Sequence, residues 1–87
     1  MKEVKMFMQA TCPHCKRCFA MMEKLFEEHP EYKEVPLTII DERVDPATAE
    51  KYDYYYVPTF YVAEVKEHEG VPSEEAVEQV FRDAYEG

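Results

Sequence analysis

The chain has 87 residues, a third of them charged, with a formal net charge of −9. That length holds a single domain, residues 1–87, around a modest core. The acidity argues against nucleic acid, which requires a basic face, and against an anionic membrane surface.

The N-terminal run MKEVKMFMQA places Glu3 and Gln9 where a signal peptide needs continuous apolar residues. No segment approaches the length of a membrane span. A cytoplasmic protein is the expectation, and thiols in that compartment stay mostly reduced.

Val4, Met6 and Met8 alternate with Lys5, Phe7 and Gln9. Phe7 keeps the second face partly apolar, so the pattern predicts a strand from about Glu3 to Met8, buried on both sides. TCPHC follows as a turn. Beyond it Cys15, Cys18, Phe19, Met22, Leu25 and Phe26 recur at spacings of three and four, which is one helical stripe. Pro13 suits the first helical turn, and Pro30 ends the helix.

Residues Tyr32 to Ile40 read as a second strand, with Leu37 and Ile39 on one face and Thr38 and Ile40 on the other. Pro36 inside it confines it to a sheet edge, because proline has no N–H to give a second neighbour. Asp45-Pro46 is a cap followed by a first helical residue, for a short helix to about Tyr52. Thr59 to Val62 and Val65 to His68 read as strands around a tight turn at Ala63-Glu64. Ser73 caps a last helix with the stripe Ala76, Val77, Val80, Phe81, Ala84 and Tyr85.

The order is β-α-β-α-β-β-α. A helix joins the first two strands, so they are parallel with a right-handed crossover. The last two form an antiparallel hairpin. A four-stranded mixed sheet with helices on both faces accommodates every apolar stripe.

All three cysteines lie in TCPHCKRC, residues 11–18. Two cysteines two residues apart at a helix start suit reversible disulfide chemistry. Cys12 sits where unpaired backbone N–H groups and the helix dipole favour an anion, and such positions lower a thiol pKa. Cys12 is therefore the expected nucleophile. Cys15, one turn in and facing inward, is expected to resolve the mixed disulfide. His14, Lys16 and Arg17 are candidates to favour the Cys12 thiolate.

Two rival readings stand beside this one. Cys12, Cys15 and Cys18, with His14, are soft ligands for zinc, copper(I) or an iron–sulfur cluster, although the fourth cysteine of a ferredoxin run is absent. A redox-inert peptide-binding module is the other, and the intact cysteine pair speaks against it. Cys18 otherwise reads as a small buried residue on the helix stripe. Tyr52, Tyr54, Tyr55 and Tyr56 fit an aromatic wall near the site, or plain packing and exposure, equally well. His29 and His68 read as solvated.

CPHC between a strand and a helix, with Val57-Pro58 ahead of the later hairpin, resembles the glutaredoxin branch of the thioredoxin-fold superfamily over nearly the whole chain. Thr11 precedes Cys12 as in many glutaredoxins, whereas the Trp and CGPC usual in thioredoxins proper are missing. The resemblance implies a thioredoxin or glutaredoxin fold and dithiol–disulfide oxidoreductase activity; a monomer without a bound cofactor is the expectation. It also implies a cis Val57-Pro58 bond beside the dithiol, with the Val57 backbone pairing with an incoming peptide or glutathione.

The chain departs from that branch at its glutathione contacts. Gln9 stands at the position three before the first cysteine, where Lys or Arg is usual. Glu69-Gly70 stands in place of a Gly-Gly pair. Ser73, at the start of the last helix, still offers backbone N–H groups. The expectation is weak use of glutathione, with protein disulfides as substrates and a thioredoxin-reductase-type electron donor.

Overall fold

A computed structural model describes all residues, 1–87. Strand β1 (Val4–Met8) runs through the middle of a four-stranded sheet. It pairs in parallel with β2 (Leu37–Asp41) and antiparallel with β3 (Thr59–Val62), and β3 pairs with β4 (Val65–Glu69), giving the order β2-β1-β3-β4. Helices α1 (Pro13–Glu28) and α3 (Glu74–Glu86) cover one face. The short helix α2 (Pro46–Ala49) and the tyrosine segment after it cover the other. This is the expected α/β thioredoxin fold, with the first strand central and the second at an edge.

The alternation in β1 explains the two layers. Val4 and Met6 join Phe60 and Val62 of β3 on the face covered by α1 and α3, where they meet Cys18, Met22, Leu25, Val77, Val80, Phe81 and Ala84. Phe7 points the opposite way and packs with Ile40 and Tyr61. Its ring lies 4.8 Å from that of Tyr52 and 4.9 Å from that of Tyr54. Phe7, Phe60 and Phe81 are fully buried, and burial of such a side chain contributes about 1.5–3 kcal/mol.

The caps form as the sequence predicts. The Asp45 carboxylate accepts from the Thr48 N–H at 3.2 Å, and Ser73 Oγ accepts from the Ala76 N–H at 3.1 Å. The hairpin turn is tight. Ala63 and Glu64 both have positive φ, 48° and 69°, the two-residue geometry whose twist matches that of the flanking strands.

One expected element is different. Residues Tyr32 to Val35 are not strand: Pro30–Glu34 forms a 3₁₀ turn, and β2 begins only at Leu37. Tyr32 and Val35 have strand propensity, but burial against α1 and α3 decides their conformation. Tyr32 enters the main core, with its ring 5.6 Å from Tyr85. Pro36 stands just before the strand, where its carbonyl accepts from the Val4 N–H at 2.8 Å. Its missing donor falls ahead of the first residue of an edge strand, where a proline interrupts no ladder hydrogen bond. β2 still alternates as expected, with Leu37 against the main core and Ile40 against Phe7.

Candidate active site

The carboxyl ends of the parallel strands β1 and β2 lie side by side, with Met8 opposite Asp41. The start of β3 and the end of β4 reach the same end of the sheet, with Thr59 opposite Glu69. Four loops therefore converge there. They carry Gln9 to Cys12, Glu42, Val57-Pro58 and Gly70.

Cys12 is the N-cap residue of α1 and is partly exposed. Its N–H donates to the Gln9 carbonyl at 3.1 Å, which closes the turn. Pro13 follows as the first helical residue and sacrifices no hydrogen bond there. Partial burial resists ionisation of Cys12. Hydrogen bonds from the Cys15 N–H and thiol and from the His14 N–H, with the charge of Arg17, outweigh it, so the Cys12 thiol lies below its ordinary pKa. The anion is stabilised by the unpaired donors of the helix start.

Cys15 is 1% exposed and reduced. Burial pushes its pKa up to about 11, and the neighbouring Cys12 and the charge of Glu42 push the same way, against a hydrogen bond from the Gln9 backbone. The pair is thus asymmetric, an accessible acidic thiol next to a buried reluctant one. Cys18 is fully buried among Met6, Met22 and Phe81, and burial pushes it up to about 12. It faces the core, so Cys12, Cys15, Cys18 and His14 do not meet at one point. No group of three or more His, Cys, Asp or Glu side chains is arranged to hold a metal ion.

His14 lies beside Cys12 and donates through its backbone. Its Nδ1 lies against the Arg17 guanidinium. Of the three residues expected to favour the Cys12 thiolate, His14 does so through its backbone N–H and Arg17 through its charge. Lys16 is exposed and makes no side-chain hydrogen bond or ion pair.

The Val57-Pro58 peptide bond is cis. Beside it His14, Tyr56, Val57, Glu69, Gly70 and Val71 line a groove of about 460 Å³. The Gly70 N–H donates to the Pro58 carbonyl at 2.9 Å, and Gly70 has φ +93°, a conformation that favours glycine.

Gln9 and Ser73, named as candidate substrate contacts, also make side-chain hydrogen bonds within the chain. The Gln9 side chain donates to the Glu42 carboxylate. Ser73 Oγ caps α3. Thr11 is exposed in the turn and does not line the groove. Glu69 does not point a free charge at the groove. Lys66 Nζ donates to it at 2.8 Å, and the Tyr55 and Tyr56 N–H groups at 2.5 and 3.0 Å, which holds its pKa down at about 2.

The tyrosines divide. Tyr52 and Tyr54 pack on Phe7, whereas Tyr55 and Tyr56 are exposed. The histidines expected to be solvated are each half-buried. His29 stacks on Tyr32, and His68 Nε2 lies 3.1 Å from the Gly70 carbonyl.

Glu42 is the residue the sequence pattern did not single out. It is half-buried, its N–H donates to the Met8 carbonyl at 3.0 Å, and its carboxylate accepts from Gln9 Nε2 and from the Tyr54 hydroxyl, the latter at 2.8 Å. The available signal was its position directly after a parallel strand, at the end of the sheet where functional loops gather.

The model of the thioredoxin domain family matches residues 2–82. The chain belongs to this family. Thioredoxin-family structures from distant organisms superpose on it. Oxidised thioredoxin from Plasmodium falciparum is 20% identical with a TM-score of 0.70, covering 94% of this chain and 79% of that one. Thioredoxin O1 from Arabidopsis thaliana is 20% identical with a TM-score of 0.71, covering 98% and 78%. The periplasmic thioredoxin SoxS from Paracoccus pantotrophus is 22% identical with a TM-score of 0.66, covering 99% and 97%. At such identity the likeness is one of fold. No curated protein sequence matches the chain. No helix is long and apolar enough to cross a membrane.

Proposed function

We propose that this thioredoxin-family chain is a thiol–disulfide oxidoreductase. The observation that carries the reading is the asymmetric pair at the start of α1, with Cys12 accessible and acidified and Cys15 buried beside it. The Cys12 thiolate attacks a substrate disulfide, one substrate sulfur leaves as a thiol, and a mixed disulfide forms. Cys15 then attacks Cys12 Sγ, the second substrate thiol leaves, and the two electrons of the dithiol have passed to the substrate.

Proteins are the proposed substrates. The groove beside the cis Val57-Pro58 bond, lined also by His14, is rimmed by Tyr56 and Val71, both largely exposed, and it suits an extended peptide more than a small anion. Gln9 and Glu69 are committed to Glu42 and Lys66, so the charged contacts that glutathione carboxylates need are missing. Glutathione use is proposed to be weak, with a thioredoxin-reductase-type protein supplying electrons.

The test is a trap. Cys15→Ser leaves Cys12 able to attack but not to be released, so mixed disulfides accumulate with partner proteins and dissolve on reduction. Cys12→Ser traps nothing. A Cys15→Ser protein that captures no partner through Cys12, while the intact pair turns over no protein disulfide, rules the function out.

A further inference from the structure

The loop that leads into the cis Val57-Pro58 bond, residues 53–58, has no helix or strand of its own. Its backbone is held from outside, mostly by β4. The Tyr55 and Tyr56 N–H groups both donate to one Glu69 carboxylate oxygen, Oε2, at 2.5 and 3.0 Å. Lys66 Nζ donates to the other oxygen, Oε1, at 2.8 Å and to the Asp53 carbonyl at 3.1 Å. The Gly70 N–H donates to the Pro58 carbonyl at 2.9 Å. From β3, the Tyr61 hydroxyl donates to the Asp53 carbonyl at 2.7 Å, and the Thr59 hydroxyl to the Tyr56 carbonyl.

Glu69 is the centre of this arrangement. It ends β4 opposite Thr59, the first residue after the loop. Successive N–H groups that converge on one point form an anion-binding concavity, and here the chain fills it with its own carboxylate. Lys66 and the two N–H groups hold that carboxyl down at about pKa 2, so it stays charged across the neutral range. The next residue, Val57, is left free. It is half-exposed, and neither its N–H nor its carbonyl bonds anything within the chain. Val57 and Tyr56 line the groove that His14 closes from the Cys12 side.

We propose that Glu69 is a positioning residue for peptide recognition: its carboxylate, tied to Lys66, fixes the Tyr55-Tyr56 backbone so that the free Val57 edge and the Tyr56 ring meet the extended segment flanking a substrate disulfide. The proposal rests on the oxidoreductase reading above. It says what the groove reads, which is the backbone and an apolar side chain of the substrate, not a charge.

The effect is one of populations. A short irregular loop without the clamp samples several conformations, and binding must select one. When only a fraction is competent, the apparent affinity falls by that fraction. Charge-assisted hydrogen bonds are strong enough to keep the competent fraction high, and a loop ordered beforehand does not pay for ordering on binding.

Two probes separate recognition from chemistry. One is a short blocked peptide of alanines around a single cysteine, with that cysteine in mixed disulfide with thionitrobenzoate. The other is a blocked cysteine that carries the same group and no flanking residues. In both, the Cys12 thiolate attacks the cysteine sulfur, thionitrobenzoate leaves with the electron pair of the broken bond, and a Cys12 mixed disulfide remains. The ratio of the two second-order rate constants reports what the flanking residues contribute. In Glu69→Ala that ratio is expected to fall on the order of tenfold, with the Tyr55 and Tyr56 amide resonances shifted in NMR spectra. Glu69→Gln keeps a side-chain oxygen for the two N–H groups and loses the charge, and is expected to recover part of the ratio.

An unchanged ratio in Glu69→Ala overturns the proposal, including the case in which both probes slow equally, which would put the effect on Cys12 or on the fold. A wild-type ratio near one overturns it too, since the groove then reads no flanking residues. Failure of wild-type Cys12 to react with either probe overturns the oxidoreductase reading itself, and the proposal with it.

Discussion

The three cysteines show how burial divides one residue type into three chemistries within seven positions. Cys12 is held below the ordinary thiol pKa, Cys15 is pushed up to about 11 and Cys18 to about 12. These shifts have a consequence for stability. In the unfolded chain all three thiols ionise near 9. Between that pH and about 11 the unfolded state sheds protons from Cys15 and Cys18 that the folded state keeps, so stability falls as pH rises, by at most about 1.4 kcal/mol per pH unit for each thiol. Cys12 acts with the opposite sign, adding stability above its lowered pKa. Thermal unfolding of the reduced protein is expected to show Tm dropping from pH 9 to 11, and dropping less steeply in Cys18→Ala. The placement of Cys12, Cys15 and Cys18, at the helix start, one turn in and in the core, was legible in the sequence because a helix start and a helix stripe are local patterns. The contact of Gln9 was not, since its side-chain partner Glu42 lies 33 residues away.

At the scale of elements, the hairpin between β3 and β4 turns on two residues that carry side chains in a conformation favouring glycine or asparagine. Ala63 has φ 48° and Glu64 φ 69°. Each left-handed residue costs about 1–2 kcal/mol. Glu64 has a local return, since its carboxylate pairs with Lys5; Ala63 has no such partner. Ala63→Asn is therefore expected to stabilise the fold by up to about 1 kcal/mol in urea denaturation, with an unchanged slope. A destabilised variant would show that the turn is not strained at this residue. The turn was readable from the spacing of the flanking strands. The 3₁₀ turn over Pro30–Glu34 was not. Tyr32 and Val35 look like strand residues by propensity, and packing in the main core with α1 and the distant α3 turns that segment inward.

The whole molecule is a sheet with unequal layers. One face carries two long helices, the other a four-residue helix and a set of tyrosines. The thinner layer is the one that supports Glu42, through Tyr54 and Phe7. Phe7→Ala is expected to cost about 3–5 kcal/mol, a large share of the 5–15 kcal/mol that holds a small domain together. Tyr55→Ala, at a residue 87% exposed, is expected to fall within about 0.5 kcal/mol of wild type. Equal effects in the urea midpoints of the two variants would contradict the layering. The sheet order was legible because Pro36 allows only an edge and the helical crossover requires parallel strands. The tyrosine run was not, because residues of one type in a row carry no periodicity. Contacts with Phe7 and Tyr61 separate Tyr52 and Tyr54 from their exposed neighbours.

The inward aim of Cys18 also bears on isomer selection. Three thiols allow three intramolecular bridges, and in a flexible peptide of this sequence all three would interconvert. In the folded protein a bridge from Cys18 to either other cysteine would pull a fully buried sulfur out from among Met6, Met22 and Phe81 and leave a void at the centre of the main core. Such voids are costly. On the proposed function, oxidation is thereby channelled into the single Cys12–Cys15 isomer, and the third sulfur is expected to react with thiol reagents only once the chain has unfolded.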